Sequence, residues 1–128
     1  MSVLHAAQAI GDRLEAALDT VGLSMAKHSA LTKLAEAGEP LTLSELASRL
    51  SCVRSNITQL VDRLEADGLV RRVDDPADRR SIRAELTPLG LETQAAGTVE
   101  LATAQNEISK RISAYDLAAL KSVLSSLG

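Results

Sequence analysis

The chain has 128 residues, 45% of them hydrophobic, and a formal net charge of −3 at pH 7. That length supports one domain, residues 1–128, with a modest core; no run nears the roughly 18 uninterrupted apolar residues of a membrane span and no signal peptide is visible, so no membrane partner and a cytoplasmic location are expected. Cys52 is the single cysteine and Tyr115 the single aromatic residue, which excludes an intramolecular disulfide, argues against a cysteine-based metal site and leaves a core of small aliphatic contacts between helices.

Residues 2–19 are expected to form a helix, with Val3, Ala7, Ile10, Leu14, Ala17 and Leu18 near one face and Gly22 beyond its end. A second helix is expected over Ser24 to Ala37, with Leu23, Ala30, Leu31 and Leu34 inward, stopped by Gly38-Glu39-Pro40. Leu41-Thr42-Leu43 reads as extended. Ser44 or Thr42 then caps a helix through Leu50, whose stripe is Leu43, Leu46, Ala47 and Leu50.

The next helix, Arg54 to Asp67, buries Ile57, Leu60, Val61 and Leu64 at i, i+3, i+4, i+7. Its opposite face centres on Ser55, Gln59 and Asp62, with Thr58 on one shoulder and Asn56 and Arg63 on the other. Gly68 fits its C-cap. Leu69 to Val73 reads as a strand, residues 74–78 as a turn, and Arg80 to Leu86 as the returning strand. Thr87 caps a long helix that begins at Pro88 and runs to about Arg111. Ser113 caps a last one carrying Leu117, Leu120, Val123, Leu124 and Leu127.

Helix, turn, helix, then charged hairpin is the order of a winged helix-turn-helix, a mainly α fold with a small β-hairpin wing (α+β). Net acidity does not exclude nucleic acid, because its distribution is uneven. Residues 54–83 carry seven basic and six acidic groups, against net −2 on each flank, and Arg71, Arg72, Arg79, Arg80 and Arg83 crowd the hairpin. Screening over about 8 Å at physiological salt limits the reach of the distant acids. Short polar side chains on a helix suit base edges: Asn and Gln pair bidentately with adenine, and Arg with guanine. A wing arginine suits a narrow minor groove. Asp78 is assigned a structural role, orienting Arg80 or capping the turn.

Leu43-Ser44-Glu45-Leu46-Ala47, Arg54 to Glu65, Gly68-Leu69-Val70-Arg71-Arg72, and the wing signature Asp75, Asp78, Arg80, Leu86-Thr87 and Gly90 resemble the multiple antibiotic resistance regulator (MarR) family. The likeness is close over residues 22–92. It implies a homodimer on double-stranded DNA at a pseudo-palindromic site, usually a repressor and often released by a small-molecule effector. Contacts to DNA are carried onto Arg54, Ser55, Asn56, Thr58, Gln59 and Arg63 in the major groove, and onto Arg80 with Arg79 beside it in the minor groove. Residues 22–90 then form the winged unit, and residues 1–21 and 91–128 the dimerisation helices. Independently, Ile10, Leu14, Leu18, Ile108, Ile112, Leu120, Leu124 and Leu127 offer more apolar surface than one small winged domain covers. An effector pocket in the family's position would involve Met25, His28 and Thr32, set against the reading of His28 as a packing residue.

Ser51-Cys52-Val53 departs from the family's Gly, aliphatic, Ser order, and Cys52 reads as buried core in preference to a redox switch. His5 and His28 are the only imidazoles, and no nucleophile-base set or Gly-rich phosphate loop occurs, so neither an enzyme nor a cofactor is expected. The alternative class is a winged-helix dimerisation module without specific DNA binding. It predicts a following catalytic domain and gives the arginine-rich wing no purpose.

Overall fold

The computed structural model describes residues 3–51, 54–111 and 121–125. The elements are α1 (Val3–Asp19), α2 (Met25–Ala37), β1 (Leu41–Thr42), α3 (Leu43–Leu50), α4 (Arg54–Ala66), β2 (Val70–Asp75), β3 (Asp78–Leu86) and α5 (Pro88–Arg111). Lys121–Ser125 are also helical. The expected helix start at Ser113, Tyr115, Cys52 and Val53 lie outside the described residues.

Each boundary has a local cause. Ser24 caps α2 by accepting from the Lys27 amide, and Gly38 closes it at φ 69°, a left-handed conformation in which a Cβ is strained. Thr42 caps α3 in a full capping box: its hydroxyl accepts from the Glu45 amide, and Glu45 reaches back to the Thr42 amide. Ser51 ends α3 at φ 55°.

The core lies where α2, α3 and α4 meet the sheet. Leu31, Leu41, Leu46, Ile57, Val61, Leu64 and Val70 are essentially inaccessible to solvent, and Leu18 of α1 joins them. The stripe expected on α4 is the buried one, with Leu60 half-buried at its edge. The sheet is antiparallel in the order β1-β3-β2, with Leu41 opposite Ala84 and Val70 opposite Leu86.

The hairpin is longer than its sequence suggests. Residues 74–78 read as a turn, yet β2 extends through Asp75, β3 starts at Asp78, and Pro76-Ala77 alone make the connection. An irregularity between Asp74 and Asp75 accommodates the change of register. The Asp75 carboxylate accepts from the Ala77 amide at 2.9 Å, doing locally what an uncapped tight turn leaves undone.

Candidate nucleic-acid interface

Asn56, Thr58, Gln59, Asp62 and Arg63 stand on the exposed side of α4, opposite its apolar stripe. Arg54 and Ser55 belong to the first turn of the same helix, and their side chains lie outside the described residues. Arg80 is exposed on β3; Arg79 precedes it on that strand, its side chain likewise outside the description. Asp78 accepts from the Arg80 backbone amide at 2.9 Å.

The hairpin's arginines are not equivalent. Arg71 pairs across the hairpin with Glu85, its Nε donating at 2.6 Å. Arg72 donates to Asp62 and, at 2.8 Å, to Glu65, both on α4. Arg83 reaches Asp75 at 3.1 Å, Glu45 at 3.8 Å and the Pro40 carbonyl at 3.2 Å, linking wing, α3 and the approach to β1. Counting arginines therefore overstates what the hairpin offers phosphate. Around the helix-turn-helix and wing, Arg80, Arg49 and Arg63 are exposed cations that pair with no carboxylate among the described residues, as are Lys110 and Lys121 on the C-terminal helices.

Two titrating groups record this wiring. Burial opposes the charge on Arg72, but hydrogen bonding and proximity to Asp62, then Glu65, outweigh it and hold its pKa above the usual value. The Ala77 amide, joined by Arg83, holds the Asp75 carboxyl below the usual carboxylate range against its partial desolvation.

The joint between wing and α5 explains the Leu-Thr-x-x-Gly signature physically. The Thr87 amide donates to the Leu69 carbonyl at 3.1 Å, and its hydroxyl donates to the Gly68 carbonyl at 2.7 Å while accepting from the Gly90 amide at 2.9 Å. A Cβ on Gly90 would overlap the Leu69 carbonyl oxygen and lie 2.9 Å from its carbon. Only glycine lets α5 lie this close to the end of the winged unit.

A polar helix face, an exposed wing arginine and this joint are the arrangement that the signature implies, and the comparisons agree. The model of the MarR family matches residues 23–82. The chain belongs to the MarR family. YsmB of Bacillus subtilis, an uncharacterised HTH-type transcriptional regulator, is 35% identical over 89 residues, 70% of this chain and 60% of YsmB. The chain thus spans about three fifths of that relative's length. AbsC, a MarR family transcriptional regulator from Streptomyces coelicolor, superposes with a TM-score of 0.77 at 28% identity, covering 97% of this chain and 85% of AbsC. A cysteine-to-serine variant of Escherichia coli MarR complexed with operator DNA shares the fold, with a TM-score of 0.77 at 23% identity over 98% of this chain and 89% of that one.

Within this MarR fold, the three residues suggested for an effector separate. His28 is buried, its Nε2 3.2 Å from the Thr98 hydroxyl, and Thr32 accepts from Gln94 Nε2 at 3.2 Å. Thr98 donates to the Gln94 carbonyl and accepts from Gln94 Nε2, so α5 closes one polar cluster over α2. Gly97 is part of that closure, since a Cβ there would lie 2.7 Å from His28 Cδ2. Met25 packs against the core instead. A ligand using His28 and Thr32 has to displace these bonds first. Open pockets of about 460, 340 and 400 Å³ are lined elsewhere: around Glu15 and Lys27, around Leu34 and Leu91, and around Ser44 and Arg80.

The sequence reading missed Arg72, Arg83 and Asp75 as organisers of the interface. A signal was present for Arg72, which follows Asp62 and Glu65 by ten and seven residues across a single turn.

Proposed function

We propose that this chain is a sequence-specific, double-stranded-DNA-binding transcriptional regulator that acts in the cytoplasm as a homodimeric repressor on a pseudo-palindromic operator. The observation that carries this reading is the pairing of surfaces on α4 and the wing. Asn56, Thr58, Gln59 and Arg63 are exposed on one helix face, and Arg80 is exposed on the hairpin while its neighbours Arg71, Arg72 and Arg83 are tied to carboxylates. Asn and Gln supply bidentate donors and acceptors for base edges, and an unpaired wing cation suits a minor groove. In this reading Arg54, Ser55 and Arg79 extend the same surface, and Asp78 holds the wing tip in shape.

The dimer is supported by apolar side chains left uncovered on the helical flanks. Leu4, Val99 and Leu124 are more than half exposed, at 74%, 61% and 53%. Pairing through α1, α5 and the helix that includes Lys121–Ser125 would cover such surface and set two copies of α4 about 34–36 Å apart, one turn of DNA. That a MarR variant with this fold is complexed with operator DNA supports the DNA-binding part of the reading.

The test is selection of genomic fragments by the purified protein at two salt concentrations. A short inverted repeat retained at the higher salt is expected. Fragments without a common repeat, all lost as salt rises, would leave only phosphate attraction and overturn the reading.

A further inference from the structure

The recognition helix proposed above carries a difficulty of its own. Asp62 lies on the same exposed face as Gln59, and Glu65 follows one turn later; the side chains of the two acids are 59% and 44% exposed. Two carboxylates on a surface that approaches a polyanion repel it, and more strongly as water is excluded between them. Arg72 answers both. It stands on β2, directly after the turn that ends α4, with its side chain only 23% exposed. One guanidinium nitrogen donates to Asp62 and the other to Glu65, and its own backbone amide donates to the second Glu65 oxygen at 3.2 Å. Lys27 of α2 does the same at 2.8 Å for Asp67, just past the helix end. Every carboxylate between Arg54 and Gly68 thus touches a cation from another element, with Asp62 and Glu65 sharing Arg72.

We infer that Arg72 is a positioning residue for DNA binding, which offsets part of the negative charge of Asp62 and Glu65 and holds both against the base of the wing so that the polar face of α4 can approach DNA. This rests on the DNA-binding reading. It differs from a phosphate contact, because both ends of the guanidinium are engaged within the protein. It also differs from a purely structural role, which removal of the two acids would not rescue.

The experiment is a cycle of four proteins: wild type, Arg72→Ala, Asp62→Asn/Glu65→Gln, and all three substitutions together. Each is titrated with the fragment that the wild type selects, and thermal unfolding is followed in parallel. Arg72→Ala should bind at least about tenfold more weakly, because two uncompensated charges now face phosphate. The combined variant should recover most of that loss, while the two acid substitutions alone change affinity less than about threefold. This non-additivity is the signature of coupled charges. Wild-type affinity in Arg72→Ala overturns the inference. So does equal weakness in Arg72→Ala and the combined variant, which would mean that Arg72 touches DNA itself or serves only packing. Should Arg72→Ala fail to fold, Arg72→Met keeps the apolar stem and enters the same cycle. Failure of the wild type to retain any repeat is a separate result; it removes the DNA reading and this inference with it.

Discussion

Between Leu23 and Ala84 the chain buries Leu31, Leu41, Leu46, Ile57, Val61, Leu64 and Val70 almost completely, whereas along α5 Leu89, Leu91 and Val99 remain half or more exposed and Ala104 is the buried hydrophobic residue. The winged unit, joined by Leu18 of α1, closes a core; most of the long helix beside it does not share in it. The difference matters for function. A unit that is complete in itself can be held rigidly against a groove, while a helix with uncovered apolar side chains is material for joining two such units. Gly90 lies where the two regions meet, and the largest effect is expected there. Gly90→Ala drives a methyl group into the Leu69 carbonyl, a backbone atom that cannot swing aside. We expect a loss of about 4–5 kcal/mol, or failure to fold. Urea unfolding measures it, and a loss below about 1 kcal/mol would show that α5 can lift off the winged unit cheaply.

The contrast sharpens with one truncation in each region. Ile57→Ala empties a site closed on every side and should cost about 2–5 kcal/mol. Val99→Ala removes a side chain that is 61% exposed and should change the chain's own stability by about 0.5 kcal/mol or less. If α5 joins two copies as proposed, Val99→Glu shifts sedimentation toward the monomer while Ile57→Ala does not do so at equal folded fraction. Comparable unfolding costs for Ile57→Ala and Val99→Ala would erase the distinction between the regions.

What could be read in the sequence follows the same division. Ile57, Val61 and Leu64 were legible because a helix with one buried face repeats its pattern within the helix itself. Thr42, Gly38, Gly68 and Thr87 were legible for a related reason: caps and left-handed turns depend on a few adjacent residues. The pairing of charges was not. Arg83 and Glu45 are 38 residues apart, and nothing local decides whether Arg83 meets Glu45, Asp75 or phosphate. The register of β3 against β1 and β2 decides it. His28 meets Thr98 across 70 residues by the same kind of long-range docking. The hairpin tip misled because Asp74, Asp75, Pro76 and Asp78 are all turn formers by composition. The ladder continues through Asp75 because its carboxylate satisfies the turn amide from inside the strand.

A smaller effect tests how far the winged unit depends on its caps. Thr42→Ala removes the acceptor of the Glu45 amide and should cost about 1 kcal/mol; Thr42→Ser keeps the oxygen and should cost much less. Equal losses from both would assign the contribution to the methyl group instead of the capping box.

The smallest effect concerns acid, and its sign follows from Asp75. Its carboxyl is held below the ordinary value by the Ala77 amide and then by Arg83, so the folded state binds this proton less readily than the unfolded chain does. The stability it contributes is therefore fully present above the unfolded value, about 3.9, and is lost as pH falls through the lower folded value. Near neutrality the wing is insensitive to pH through this group. As pH falls through that lower folded value the Asp75–Arg83 pair weakens, and with it the link that Arg83 makes between the wing, Pro40 and Glu45. Hydrogen exchange of the Ala77 amide should therefore accelerate on acidification before amides of the α4 core do, because Ile57, Val61 and Leu64 involve no titrating group. Asp75→Asn should flatten that acid response while leaving the core amides unchanged. Simultaneous release of wing and core in the wild type would instead mean that the hairpin and the winged unit open as one cooperative body.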